Sequence, residues 1–408
     1  MKKIDNIFLN IIIFSILLFD TTIRLQIMIS FLYLIYLFLY KKIILKRKIV
    51  IFFIIVIIIS IFNILKNEYN FPKMVQQMTV VLMLLLSYYN FFLNYNLKVI
   101  WNKYIKMCQL FAIIGILQIL IYYIFSFNIC NFILKFLGYY NENNYCITEN
   151  ILMCSSLSGE PGMYAQVIMP ATFFCLENII KNKKIKLKEF ILLSSYFLSY
   201  VAIAYLGVIL YFFMKILISI INKEVVKIFF IFLFSLILLY IFINFFKFEM
   251  IKQKFYETFI TLFNVLEKDL HKVNLSTFAL ISNLKACILS KNYYVGNGIG
   301  TIEQVYYRFF KNLNYYAYGL NATDGYSLLL RLTTECGLLG SITLILIILK
   351  NIYLKKKNYI YNSINFCSLI GILSYLVRGG SYFMQGTLIF YMFLIFSKKN
   401  LILGGKKK

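Results

Sequence analysis

The sequence predicts an all-α polytopic membrane protein that crosses a lipid bilayer about twelve times, with both termini cytoplasmic and one large outer-face loop. First, 61% of its 408 residues are hydrophobic. Second, the apolar residues occur in runs of about 17–22, which match a hydrocarbon core roughly 30 Å thick. Third, the alternating polarity of a membrane β-strand is absent, so these runs must satisfy their backbone hydrogen bonds as helices.

Twelve apolar runs are predicted as transmembrane helices. In chain order they lie near 6–20, 23–40, 49–65, 78–95, 108–127, 161–180, 190–204, 206–222, 228–246, 334–350, 359–377 and 385–397. The first is predicted to be retained, because no small-residue cleavage site follows it. The segment 190–222 is one continuous apolar stretch, which we divide within Ser199–Gly207.

The lysines set the predicted orientation. The net charge is +26, from 42 basic and 16 acidic residues. Basic clusters fall between apolar runs, which is what the positive-inside rule predicts, so a nucleic-acid partner is not indicated. The clusters lie at 41–48, 181–188, 223–227, 350–357 and 398–408, and twelve helices place all of them in the cytoplasm. A single helix over 190–222 would reverse the predicted orientation of every later helix and would place the C-terminal lysines outside the cell.

Three segments follow from this topology. Residues 1–246 form an N-terminal transmembrane bundle with an outer loop at 128–160, residues 247–333 form the large outer-face loop, and residues 334–408 form the C-terminal transmembrane helices. Apolar residues at 255, 259, 262, 263 and 266 predict an amphipathic helix in the large loop. Such a helix suits the membrane surface or a cap on the bundle.

Arginine is rare in this chain and is concentrated on the predicted outer side. Only five of the 42 basic residues are arginines, and Arg24, Arg308, Arg331 and Arg378 map to the outer half. A planar guanidinium that binds phosphate bidentately would explain arginine instead of lysine there. Ordinary ion pairing is the alternative, and Arg331 with Glu335 has the i,i+4 spacing for it.

A carboxylate stands where the first outer loop enters the helix at 161–180. Glu160 follows Gly159 and precedes Pro161, and proline suits the first helical position. The carboxylate either accepts a proton from a substrate hydroxyl or caps the helix. Capping would keep it acidic and apolar burial would raise its pKa, so the sequence leaves both roles open.

Two further stretches are rich in glycine. The run 296–300, GNGIG, lacks the lysine and the preceding strand of a phosphate-binding loop, so we interpret it as a turn. The run 321–340 contains Asp324 and Arg331 and ends in Glu335-Cys336-Gly337-Leu338-Leu339-Gly340, whose glycines allow close helix packing. The lone histidine, His271, is interpreted as incidental. The cysteines show no metal-ligand spacing, so no metal site is predicted.

Together these motifs resemble the O-antigen polymerase and ligase superfamily of bacterial envelope enzymes. Gly159-Glu160-Pro161-Gly162 is similar to a Glu-Pro-Ser-like motif of the polymerase branch, with glycine in place of serine. The Gly-x-Gly element around Gly298 and the Glu-x-Gly-Leu-Leu-Gly element at Glu335–Gly340 follow in the family's order.

The sequence also departs from the family. Ligases usually carry a His-Asn-like pair before the Glu-x-Gly element, whereas this chain has Thr323-Asp324-Gly325-Tyr326, which favours a polymerase. A Ser-Arg pair common in the family is missing near Ala204–Gly207.

The resemblance implies a glycosyltransferase of the bacterial cytoplasmic membrane. Its substrates would be oligosaccharide repeat units on undecaprenyl diphosphate, which it would polymerise into O-antigen or capsular polysaccharide without a cofactor. A membrane protein that regulates chain length would be its protein partner. Arg331, Arg378 and Arg308 would stabilise the diphosphate charge, and Glu160 or else Asp324 would accept the acceptor proton.

Two alternatives stay open at this point. A ligase would move finished glycan from the lipid carrier to a final acceptor. A flippase for lipid-linked oligosaccharides would be no enzyme. It would predict charged groups inside the bundle and short loops on both sides, which fits this chain less well.

Overall fold

A computed structural model describes residues 2–18, 25–45, 47–136, 147–148, 151–222, 273–290, 292, 294–311, 314–353 and 358–404. The helices in these ranges are α1 Lys2–Leu17, α2 Leu25–Tyr40, α3 Arg47–Asn67, α4 Phe71–Asn94, α5 Leu97–Phe125, α6 Ile129–Phe136, α7 Pro161–Asn182, α8 Leu187–Phe197, α9 Ala202–Ile221, α10 Leu275–Leu289, α11 Ile302–Phe309, α12 Leu328–Asn351, α13 Tyr359–Val377 and α14 Thr387–Gly404. A short hairpin pairs β1 Ile147–Thr148 with β2 Ile151–Leu152.

Apart from this short hairpin, the described elements are helices, and the protein is a helical membrane protein. Among the described helices, α4, α5, α7, α9, α12 and α13 are long and apolar enough to cross a membrane, and α1, α2, α3 and α10 contain shorter apolar stretches. The main core is one aromatic-rich cluster in which Trp101 is completely buried. Its indole packs edge-on against Phe174 of α7 and Phe393 of α14.

The structure has helices in most of the predicted places, with different ends. The apolar stretch 190–222 breaks at 198–201 into two helices, as predicted, but of this pair α9 alone is long and apolar enough to cross a membrane. Several helices are longer than predicted: α4 begins at Phe71, α5 at Leu97 and α12 at Leu328, six residues before the predicted 334. The predicted helices at 228–246 and 255–266 lie outside the described residues, as do Arg24 and His271.

The bundle has two chemically different ends. One, the lysine end, contains the Lys41–Asp5 ion pair at 2.6 Å and the Lys215–Glu177 ion pair at 2.5 Å. There Lys181 also lies 3.8 Å above the Tyr359 ring. Since α8 starts beside the end of α7 and Lys215 of α9 returns to Glu177, the α8–α9 pair reverses direction, as the lysine pattern predicts.

The opposite end, the loop end, brings together the end of α1 and the starts of α7, α12 and α14. Ser158 donates to the carbonyl of Leu17 at 2.7 Å, and Gln385 donates to the carbonyl of Leu18. A parallel bridge joins Ser327 to Gly379, immediately after α13. The helix ends that carry the candidate site residues therefore meet on one side of the bundle, away from the lysine end.

A small subdomain lies at the loop end. It consists of α10, α11 and the turns at 314–327, and it has its own apolar cluster centred on Phe278, Tyr306 and Phe310. The sequence predicts a loop with amphipathic helices over 247–333. The described part of this range contains α10 and α11, which pack around this separate core, and the first residues of α12.

Candidate active site

Glu160 lies at the junction of a short 3-10 helix and α7. Gly159 ends the 3-10 helix at φ 80°, and Pro161 is the first residue of α7. The Glu160 carbonyl accepts from the Tyr164 amide at 2.9 Å, but its carboxylate makes no capping hydrogen bond. Of the two roles that the sequence left open, the geometry therefore disfavours capping.

The surroundings of Glu160 shift the pKa of its carboxyl in opposing directions. Burial raises the pKa of its carboxyl above the usual value, the nearby Arg378 guanidinium lowers it, and Asp324 raises it. The half-buried carboxylate is thus held near a cation and a second carboxylate. A pKa moved toward neutrality suits a general base.

The segment that carries Glu160 is fixed to α5 by Gln118. The Gln118 side-chain oxygen accepts from the backbone amides of Ser155 at 3.2 Å and Ser156 at 2.9 Å. Its amide nitrogen donates to the Ser155 hydroxyl and to Asn128. Gln118 is fully buried, so this network satisfies backbone groups that would otherwise be costly to bury.

Arg378 joins three elements at the loop end. It follows α13, and its guanidinium donates to the Tyr326 hydroxyl at 2.8 Å and to the Ser276 hydroxyl of α10 at 3.2 Å. The guanidinium carbon also lies 4.6 Å above the Tyr326 ring. The side chain is exposed and forms no ion pair within the described chain, so part of its hydrogen-bonding capacity faces outward.

Asp324 shapes the turn that presents Tyr326. One carboxylate oxygen accepts from the Tyr326 amide at 3.0 Å, and the other accepts from Asn321 at 3.4 Å. Tyr326 adopts φ 65°, an outlier for an aromatic residue, and its carbonyl accepts from Gly379 at 2.9 Å. Strained backbone of this kind is often concentrated at functional sites.

Arg331 is placed differently from the prediction that it binds diphosphate. It is 2% exposed, and its Nε lies 3.3 Å from a carboxylate oxygen of Glu335, which is 1% exposed. It donates to Gln77 at 2.8 Å and more weakly to the Gly380 carbonyl at 3.5 Å. The ion pair that the i,i+4 spacing allowed is present, and it holds the guanidinium inside the protein.

Tyr382 completes this buried cluster. Its ring lies 4.5 Å from the Arg331 guanidinium carbon, and its hydroxyl donates to Glu335 at 2.8 Å. Burial raises the pKa of Tyr382 far above its usual value, so the hydroxyl stays protonated as a donor. The cluster therefore fixes the segment after Arg378 against α12.

Arg308 lies apart from the other two arginines. It projects from α11 and donates to the Asn67 carbonyl at the end of α3 at 3.0 Å. Its guanidinium carbon is 5.7 Å from the Tyr69 ring. No hydrogen bond or ion pair described for Arg308 reaches Glu160 or Arg378, so the expected group of three arginines is not assembled.

The glycine run 296–300 is a turn, as the sequence predicts, and it packs against a kink in α12. Gly337 has φ 71° and ψ −178° inside that helix. The kink exposes the carbonyls of Thr334 and Glu335, which accept from the amides of Asn297 at 2.9 Å and Gly298 at 2.8 Å. Gly337 must be glycine because an added Cβ would overlap the Tyr294 carbonyl.

The other two motif glycines differ in their surroundings. At Gly298, with φ 102°, an added Cβ would approach the Ile64 side chain to 2.8 Å, so this glycine permits close contact with α3. At Gly340 the neighbouring atoms belong to Cys336 of the same helix. The prediction of close packing between helices at Gly340 is therefore not supported by its contacts.

Several site residues were not identified from the sequence. Tyr326, Ser276 and Gln77 contact the two central arginines, and Gln166 donates to the Arg378 carbonyl at 2.5 Å. Of these residues, Tyr326 alone lies in a motif named in the sequence analysis, two residues after Asp324. The described residues contain no group of three metal-ligating side chains.

Comparisons with known proteins give no relative for this chain. No family model, no curated protein and no solved structure matches it.

Proposed function

We propose that the protein is a glycosyltransferase that polymerises undecaprenyl-diphosphate-linked oligosaccharide repeat units, on the outer face of a bacterial cytoplasmic membrane, into O-antigen or capsular-type polysaccharide. The observation that carries the proposal is that two charged groups lie near each other at the loop end: the Glu160 carboxylate, which has a raised pKa and makes no capping hydrogen bond, and the exposed Arg378 guanidinium. The motif resemblance supplies the substrate class.

In this proposal Glu160 is the general base. It accepts the proton of the acceptor hydroxyl while that oxygen forms a bond to the anomeric carbon of the donor glycan. The bond between that carbon and the diphosphate oxygen breaks, and undecaprenyl diphosphate leaves. Asp324 is the second choice of base, but its two oxygens already accept hydrogen bonds within its own turn.

Arg378 binds the departing diphosphate. Its exposed guanidinium can offer parallel donors to two phosphate oxygens, and it is already oriented by Tyr326 and Ser276. Arg331 has a supporting role, because its donors face Gln77, Gly380 and Glu335. It positions the segment that follows Arg378.

The proposed orientation completes the scheme. About twelve spans with cytoplasmic termini put the lysine end in the cytoplasm. The loop end then faces outward, where lipid-linked repeat units are polymerised. A chain-length-regulating membrane protein is the partner that such a polymerase would need to set polymer length.

The test is the glycan profile of cells that lack the gene, by gel ladder and by mass spectrometry of lipid-linked glycans. Single repeat units in place of a ladder support the proposal. Long glycan accumulating on undecaprenyl diphosphate would instead mean a ligase, and an unchanged profile would contradict both. Complementation with E160Q and R378Q should fail, whereas R47Q, an exposed change at the start of α3, should restore the ladder.

A further inference from the structure

A second candidate site lies beside α3, on different elements from Glu160 and Arg378. It is an open groove of about 510 Å³ between the C-terminal half of α3 and residues Asn292 and Tyr294–Gly296. Its walls include Ile58, Phe62, Tyr294 and Val295, and Lys66 and Asn292 supply polar groups. The proposed reaction at Glu160 uses none of these residues.

The apolar wall of the groove faces outward from the bundle. Ile58 is 61% exposed and Phe62 is 68% exposed, so both meet the hydrocarbon region if α3 spans the membrane. Along the helix, Ile58 lies about 12 Å from Lys66, because each residue adds about 1.5 Å. The groove therefore runs from an apolar region toward the loop end.

The mouth of the groove is cationic. Lys66 is exposed and forms no ion pair within the described residues. Arg308 is fixed on the carbonyl of the next residue, Asn67, which places a second exposed cation beside the same helix end. Glu68 is exposed in this turn, and Lys73 is already paired with Glu303. Of these two cations, Lys66 lines the groove, and Arg308 lies outside its lining, on the carbonyl of the residue that follows Lys66. An apolar groove with cations at this end is complementary to a lipid with a phosphorylated headgroup.

We propose that this groove binds the prenyl diphosphate carrier of the second lipid-linked substrate, the acceptor, with the prenyl chain along Ile58 and Phe62 and the diphosphate at Lys66 and Arg308. The inference rests on the proposed function, because polymerisation joins two glycans that are both lipid-linked. The acceptor keeps its bond to diphosphate throughout. Its carrier therefore needs cations and an apolar channel but no acid or base, which is what the groove provides.

The test is photo-crosslinking of the purified full-length protein in lipid nanodiscs. The probe is a farnesyl diphosphate analogue with a diazirine in its prenyl chain. We expect the peptide that contains residues 58–66 to be labelled, and we expect K66Q to lower this labelling about tenfold, because it removes a charge-assisted phosphate contact. K66R should retain the labelling. K311Q, a change at an exposed lysine that does not line the groove, should also retain it.

Competition identifies the ligand. Excess unlabelled farnesyl diphosphate should abolish labelling of 58–66, and equal amounts of phosphatidylglycerol or free pyrophosphate should not. Equal competition by phosphatidylglycerol would mean an ordinary phospholipid contact, and equal competition by pyrophosphate would mean a headgroup site alone; either result overturns the proposal. Labelling without preference for 58–66 also overturns it.

The two proposals fail separately. Crosslinking needs no turnover, so it tests prenyl diphosphate binding in the groove independently. A gene deletion that leaves the polysaccharide ladder intact would refute the polymerase and the acceptor role of the groove, even if 58–66 were labelled. An abolished ladder in the deletion strain, together with unlabelled 58–66, would refute the groove and keep the polymerase. Because Lys66 is exposed and contacts no other described charge, K66Q should fold normally, which thermal unfolding of the variant checks.

Discussion

The buried Arg331–Glu335 pair gives the sharpest prediction about the stability of this protein. The substitution R331M leaves the Glu335 carboxylate buried at 1% exposure without its cation. Breaking a buried ion pair from one side costs about 3–5 kcal/mol. The Tyr382 hydroxyl still donates to Glu335, so we expect a loss of about 3 kcal/mol, at the lower end of that range.

A double-mutant cycle separates the pair from its surroundings. E335Q alone leaves the Arg331 guanidinium buried, with Gln77 as its closest acceptor at 2.8 Å. The double variant R331M/E335Q removes both charges, so it should be less destabilised than the sum of the single variants. We expect a coupling free energy of about 1.5 kcal/mol or more, since contacting residues of this kind couple by about 0.5–3 kcal/mol.

The free energy of unfolding is measured by titration with sodium dodecyl sulfate in mixed micelles, followed by tryptophan fluorescence. Trp101 is the single tryptophan and is completely buried, so its emission reports on the packing of the bundle core. R47M, at an exposed arginine, is the matched control and should change stability by less than about 0.5 kcal/mol. A loss below about 1 kcal/mol for R331M, or additivity of the two changes, would refute a buried, mutually dependent pair.

Three further predictions concern the site, the kink and the topology. If Glu160 is the base, the polymerisation rate should fall as the pH falls through the pKa of its carboxyl. Because burial raises that pKa, the acidic limb of the pH–rate profile should lie above the usual carboxylate range. A profile that is flat above the usual carboxylate range excludes Glu160 as the base. G337A should lower the free energy of unfolding by about 1–3 kcal/mol, because φ 71° disfavours a side chain and the Tyr294 carbonyl occupies its space. The control G162A has open space around the added Cβ and should be nearly neutral in the same unfolding assay. In intact cells, a membrane-impermeant maleimide should label T323C but not K183C, two exposed positions at opposite ends of the bundle, and the reverse pattern would invert the proposed orientation.

The helices were largely predictable because their cause is local. Long apolar runs have a single solution in lipid, and the lysine pattern even required the break that the structure has at 198–201. The sequence did not predict the first turns of α12, because Arg331 looks like a loop residue when charge is counted along the chain. Arg331 lies in the helix because Glu335 neutralises it inside the protein.

The site was less predictable because it depends on contacts between distant segments. The sequence predicted Glu160 from its position before Pro161 and Arg378 from the rarity of arginine, but it could not show that Arg331 faces inward to Gln77 while Arg378 faces outward. For Arg331, the i,i+4 spacing with Glu335 allowed the ion pair that the structure contains. Nothing in the sequence placed Arg308 beside the end of α3, since its partner Asn67 is far away in the chain.

Most of the hydrogen bonds between the glycine turn and the kink of α12 are made by main-chain atoms, with the Asn297 side chain adding one to the Thr334 carbonyl at 2.9 Å. The amides of Asn297 and Gly298 bind the carbonyls of Thr334 and Glu335, and the Leu339 amide binds the Tyr294 carbonyl at 3.3 Å. Most side chains in these two segments can therefore change while the junction is kept, provided that glycines stay at the positions that need them. A search for distant relatives would do better with the spacing of those glycines than with overall residue identity.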